Sequence, residues 1–144
     1  MATMTAQADA SVVTSSSPVR FTGTLARTLL VAGLVVTAAG HVPVAVQHLA
    51  EVPYLGWGMA AFVVAAAASA GSVLVEDRAK VWAATLALNL SALAVFTVSR
   101  LVGLPGASDD RGDWGNTLGV TCLVAEIVVV AVTATALLKR RHRR

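Results

Sequence analysis

The chain has 144 residues, of which 56% are hydrophobic and only 13% charged, with eleven basic side chains against eight acidic. Soluble domains carry about a quarter of their residues as charges, so this composition and a mean hydropathy of +0.74 exclude that class and point to a membrane protein. The single cysteine, Cys122, excludes a disulfide framework and a cysteine-based metal site.

Residues 1–19 are rich in Ser, Thr and Ala and show no hydrophobic period, so residues 1–24 read as a disordered cytosolic tail. Four apolar segments follow, at about 25–46, 55–75, 81–98 and 117–138. Each has the length a helix needs to cross a hydrocarbon layer ~30 Å thick. The expected fold is therefore all-α, a four-helix transmembrane bundle over 25–138 followed by a basic cytosolic tail, 139–144. In the first segment Arg27 lies near the start, and His41 and Pro43 lie near the end. A rival reading makes this segment a cleaved signal peptide, with the small residues of VVTAAG as the processing site. That would leave three spans, with His41 close to a new N-terminus.

Basic residues set the orientation of a membrane protein by collecting on the cytoplasmic side. Arg20, Arg27, Arg78, Lys80, Lys139, Arg140, Arg141, Arg143 and Arg144 all fall on one side of a four-span chain, and only Arg100 and Arg111 fall on the other. Both termini are thus expected in the cytoplasm, in a multi-pass protein of the bacterial plasma membrane. The terminal KRRHRR run then serves as an anchor that can also meet anionic headgroups. Six residues beside a bilayer give no case for nucleic-acid binding.

The second segment, GWGMAAFVVAAAASAGSV, repeats small residues at four-residue spacing, with Gly58, Ala66, Ala67, Ala70 and Gly71 among them. Small side chains let membrane helices approach closely. They serve internal packing first, and a membrane-protein partner or a second copy of the chain as the sharper alternative. Tyr54, Trp57 and Trp114 are expected at the outer interface and Trp82 at the inner one, where aromatic rings anchor helices at headgroup level.

Polar side chains inside a span are costly and usually face the bundle interior. Glu126 lies nine residues into the fourth segment, ~13 Å deep at 1.5 Å per residue, and Asn89 lies near the middle of the third. A hydrogen bond between them is feasible, with Cys122 one turn from Glu126. Arg100 follows Asn89 by three turns on nearly the same face. A packing bond is the plainer meaning of the Asn89 and Glu126 positions, and a site or proton path opening outward is the functional one.

The stretch HVPVAVQHLAE carries His41, His48 and Glu51. His41 and His48 share a helix face ~10.5 Å apart, and Pro43 favours a kink between them. His48 and Glu51 stand at i,i+3, which puts them on one side. Imidazole with carboxylate suits a divalent transition metal, although a closed site wants four ligands. Interface histidines with ordinary hydrogen-bond partners are the plainer reading. The outer loop GASDDRGDWGN could add Asp109, Asp110 and Asp113, or be a solvated turn. In SRLVGLPG, Gly103 can end the third helix in a left-handed conformation, while Arg100 snorkels to the headgroups or faces Glu51 or an anionic ligand.

The set His41, His48, Glu51, then Asn89, Ser99-Arg100 and Gly103-Leu104-Pro105-Gly106, then a glutamate in the last helix, resembles an uncharacterised family of small four-helix membrane proteins of high-GC bacteria such as actinobacteria. The resemblance covers about residues 25–138, and SRLVGLPG is its most specific piece. It implies a four-helix integral membrane fold with polar residues gathered outside, and it implies no activity.

The leading expectation is a non-enzymatic membrane accessory or binding protein. Its outward cluster of His41, His48, Glu51 and Arg100 would take a metal ion or small ligand, or dock a partner. The alternatives are a small oligomeric proton-coupled transporter using Glu126 and Asn89, and a redox subunit holding a cofactor on its histidines.

Overall fold

The computed structural model describes residues 23–142. Four helices carry them: α1 (Thr24–Glu51), α2 (Pro53–Val75), α3 (Ala79–Leu101) and α4 (Thr117–His142), with a short 3-10 turn at Ser108–Asp110. The tail expected over 1–24 lies outside the described residues apart from Gly23 and Thr24, as do Arg143 and Arg144. Basic residues 139–142 continue α4 as helix.

All four helices are long and apolar enough to cross a membrane. At 1.5 Å per residue they measure about 35 to 42 Å, more than the ~30 Å of a hydrocarbon core. Large apolar side chains such as Val35, Val64, Val75, Val95, Val124 and Ile127 point outward on every helix. A soluble monomer does not expose apolar surface all round, whereas a multi-pass membrane protein presents this face to lipid.

α1 is longer than its apolar run suggested. Pro43 sits inside the helix rather than ending it, as membrane helices tolerate because neighbouring helices re-satisfy the freed backbone. The helix stops where Pro53 pushes the preceding Val52 out of the α region, to φ −139° and ψ 78°. Pro53 then opens α2, where its missing N–H costs nothing. The link between the two helices is therefore a single residue. Gly56 makes the tight reversal possible, since a Cβ there would fall on the backbone of Leu49. The small residues read as a processing site, Val35–Gly40, lie within the unbroken helix.

Glu76–Arg78 connect α2 to α3. α3 runs out at Gly103, whose φ of +83° supplies the left-handed cap. α4 starts behind Asn116, whose side-chain oxygen accepts the Gly119 N–H at 3.0 Å. The Val52 link and the 102–116 loop share one end of the bundle, called the loop end below. Gly23, the 76–78 turn and His142 share the terminal end.

α1 packs most extensively on α2, then on α4; α3 packs on α4, and α2 touches α3 least. The order around the bundle is therefore α2–α1–α4–α3. Leu30, Leu34, Val73, Trp82 and Val129 form the heart of the core with no exposure at all. They run from the middle of the bundle, at Val129, to the terminal end, at Val73 and Trp82. Trp82 is thus a core residue rather than an interfacial anchor. Tyr54, Trp57 and Trp114 remain exposed at the loop end.

Two glycines bring α1 against α4. A Cβ on Gly33 would stand 2.6 Å from Val129 Cγ2, and one on Gly40 would strike the Cys122 sulfur. The small residues of α2 divide between two faces: Gly56, Ala66 and Ala70 are buried, while Gly58, Ala67 and Gly71 face outward. Gly33→Val is therefore expected to lower stability by about 1–3 kcal/mol through overpacking, read as a lower thermal midpoint in detergent. Gly58→Val, which meets open space, is expected to change it by less than about 0.5 kcal/mol.

Candidate functional site

Because α1 continues to Glu51, His41 stands ten residues from the helix end rather than at it. Its ring packs at 4.8 Å on Phe62 of α2, and it faces α4. His41 Nδ1 lies 2.8 Å from the Thr37 carbonyl. A carbonyl can only accept, so Nδ1 carries the proton and donates it there. That leaves Nε2 turned toward Glu126, 3.9 Å from Oε1. The separation is in ion-pair range and longer than a direct hydrogen bond. Glu126 is 2% exposed. Cys122, one turn closer to the loop end, lies against Gly40 and is also buried. The centre of the bundle thus holds an imidazole and a carboxyl from two different helices.

Asn89 is fully buried on α3 but does not bond Glu126 as the sequence suggested. Its amide donates to the Thr85 carbonyl at 2.9 Å, a bond back to its own helix that needs no neighbour. Asn89 Oδ1 and Thr37 Oγ1 are buried with no hydrogen-bond partner among the described residues. Buried polar groups normally have such partners, so each of these two atoms carries a cost at this level of the bundle.

The loop end is organised around Arg100. This side chain is 8% exposed and meets Asp110 Oδ1 at 2.8 Å and the Asp110 carbonyl at 2.9 Å. Its guanidinium lies 5.0 Å from the Phe96 ring centre, and Trp114 packs edge-on against Phe96. The Gly112 N–H returns to the Arg100 carbonyl at 2.9 Å. Arg100 therefore folds the 102–116 loop onto α3 and neither snorkels nor faces Glu51. Tyr54 adds a hydroxyl bond to the Pro105 carbonyl at 2.7 Å.

His48 faces Glu51 on its own helix, with Nδ1 3.9 Å from Oε2, and Gln47 donates to the same carboxylate. His41 and His48 do not converge: the first is committed to Glu126 and the second to Glu51. Among the described residues no three His, Cys, Asp or Glu side chains come together as a metal site. The grouping of His41, His48 and Glu51 as ligands is thus not assembled.

The terminal end carries a cluster that sequence reasoning missed. Asp77, in the α2–α3 turn, receives Arg27 of α1 at 3.3 Å on Oδ2 and Arg140 of α4 on Oδ1. Arg27 also donates to the Val73 carbonyl at 2.9 Å, and Arg140 to the Asp77 carbonyl at 3.2 Å. The Arg140 guanidinium lies 5.3 Å from the Trp82 ring centre, within cation–π range. The sequence did hold a signal, an acidic pair at 76–77 on the side where the basic residues collect. Counting charges for orientation passed over it, because that rule weighs Lys and Arg and not the carboxylates between them.

No protein-family model, no curated protein and no solved structure matches this chain. In Asp110→Asn, Arg100 loses a charged hydrogen bond of about 1.5–3 kcal/mol. Amide exchange at Gly112 is then expected to speed up by about tenfold or more, while exchange at Val129 in the core stays as in the wild type.

Proposed function

We propose that this integral membrane protein is a small proton-coupled transporter without catalysis of its own, and that His41 and Glu126 hold the coupling proton. The observation that carries the reading is the approach of His41 Nε2 to Glu126 Oε1 at 3.9 Å between α1 and α4. Ionisable groups at such depth are costly and mark proton relays and substrate paths. An imidazole facing a carboxyl holds one proton between them with no net charge. With two protons on the pair it carries one positive charge, and with none a negative one. Each change alters the attraction between the two helices, in a medium where such attraction is strong. Proton occupancy then biases how α1 and α4 sit.

Four helices enclose little space, so the working unit is an oligomer. The outward Gly58, Ala67 and Gly71 of α2 suit close helix contact. The exposed Arg78, Lys80, Lys139 and Arg141 at the terminal end support an orientation with both termini in the cytoplasm of a bacterial plasma membrane.

His48 and Glu51 support a second reading, a loop-end binding surface for a small ligand or membrane partner. Glu51 keeps 57% of its side chain exposed. Two ligands leave half a tetrahedral metal shell to solvent, so a structural metal gains little support there. A redox cofactor on His41 would have to displace Glu126.

Reconstitution into vesicles loaded with a pH-sensitive dye, with proton entry driven by a potassium diffusion potential, tests the leading reading. Wild-type protein is expected to acidify the lumen faster than empty vesicles. Glu126→Gln and His41→Ala are expected to lose at least tenfold of that excess while keeping the wild-type helix content by circular dichroism. A wild-type rate equal to that of empty vesicles, or a Glu126→Gln rate equal to the wild type, overturns it.

A further inference from the structure

We infer that Arg27, Asp77 and Arg140, with Trp82 beneath them, form a closed gate at the terminal end of the bundle, so that the His41–Glu126 pair is reached from the loop end in this conformation. The inference rests on the mid-membrane pair being a working site and adds how access to it is controlled.

Three features of the structure lead there. The first is that the cluster joins all parts of the bundle at one point. Asp77 sits in the α2–α3 turn and is held from both sides, by Arg27 of α1 and by Arg140 of α4. The fourth wall comes from α3, whose Trp82 lies under the Arg140 guanidinium. One carboxylate therefore draws all four helices together at this end. A contact made by one side chain in a turn can be broken without repacking the helices that carry its partners. Ion pairs that several elements share in this way are arrangements in which packed structures switch between discrete states.

The second is the tightness of the layer below. Between the pair and the cluster, Leu30, Leu34, Val73, Trp82 and Val129 have no exposure at all. They fill the bundle section from α1, α2, α3 and α4 alike. Thr85 and Thr133 are fully buried at the same level, and their hydroxyls donate to the Val81 and Val129 carbonyls of their own helices, so the section is sealed by packing. The third is the contrast on the other side of the pair. From His41 toward the loop end no described large side chain is fully buried; His41 keeps 20% of its side chain exposed and His48 12%. The Arg100–Asp110 pair there holds the loop on α3, and Tyr54 reaches the same loop from α2 through one hydroxyl bond, but no shared ion pair among the described residues draws the four helices together at this end. The two ends are therefore unequal: the terminal end has a fully buried apolar layer under a shared ion cluster, and the loop end has neither among the described residues.

Cys122 reports on this directly. It is the chain's only cysteine and lies one turn from Glu126 on the buried face of α4. In sealed vesicles, a charged, membrane-impermeant methanethiosulfonate reagent can be applied to one face at a time. Wild-type Cys122 is expected to react at least tenfold faster from the loop-end face. Asp77→Asn removes the charge that both arginines share, and Arg140→Met leaves the Arg27–Asp77 contact in place. Both are expected to raise the terminal-face rate at least tenfold, while Asp77→Glu stays close to the wild type.

Folded Asp77→Asn and Arg140→Met proteins whose terminal-face rates stay within twofold of the wild type overturn the gate and leave the cluster as a staple. Equal wild-type rates from both faces overturn it too. Loss of the fold in both variants also counts against it, because a gate must open without dissolving the bundle. The readout does not depend on proton movement. Opening at Asp77→Asn beside an unchanged proton rate in Glu126→Gln would keep the gate and remove the transport role.

Discussion

A charge inside a bilayer must find its partner within the protein, and that demand places most of what is distinctive in this bundle. Water is absent from the hydrocarbon layer, so an ionisable side chain there meets another protein group or stays at high cost. Arg27 and Arg140 meet Asp77, Arg100 meets Asp110, and His41 meets Glu126. Each pairing joins segments that are distant in the chain or folds a loop back on its helix. Apolar packing alone would leave four greasy helices free to rotate against one another, because lipid is as good a neighbour as another helix. The ion pairs settle which faces turn inward.

The two kinds of pairing do different work. Asp77 and Asp110 sit in connecting segments and reach charges near helix ends, where guanidinium groups also have carbonyls to bond. Buried ion pairs contribute little net stability compared with apolar packing, but losing one partner is expensive. They fix arrangement more than they add cohesion. His41 and Glu126 lie deeper, have a single contact with each other, and stand where Gly33 and Gly40 let α1 and α4 come unusually close. Larger residues at those glycines would hold the helices apart and separate the pair. The site thus depends on backbone approach as much as on its own chemistry.

The four helices were legible in the sequence because a span has a length and a composition that lipid imposes, and those can be read residue by residue. The turn at Gly103 was legible too, since only glycine adopts its backbone angle readily. The extent of α1 was not. Pro43 and the polar residues after it resemble a helix end, and only neighbouring helices allow the chain to continue through them. That single misreading moved His41 from the interface to the interior and grouped it with His48 rather than with Glu126. Trp82 was misplaced for a related reason: a tryptophan near a helix end suits the headgroup layer as well as the core, and its neighbours decide.

The amino-acid sequence by itself determined an all-helical membrane protein with four spans, the polar residues able to act at depth, and the glycines where the chain turns. These follow from local rules of length, hydropathy and backbone freedom. The tertiary structure alone decided the pairings: Glu126 with His41 and not Asn89, Arg100 with Asp110 and not Glu51, and Asp77 with two arginines at once. Rotation of each helix about its axis sets those choices. In helices that are apolar on every side, the sequence leaves that rotation open until the few polar side chains meet.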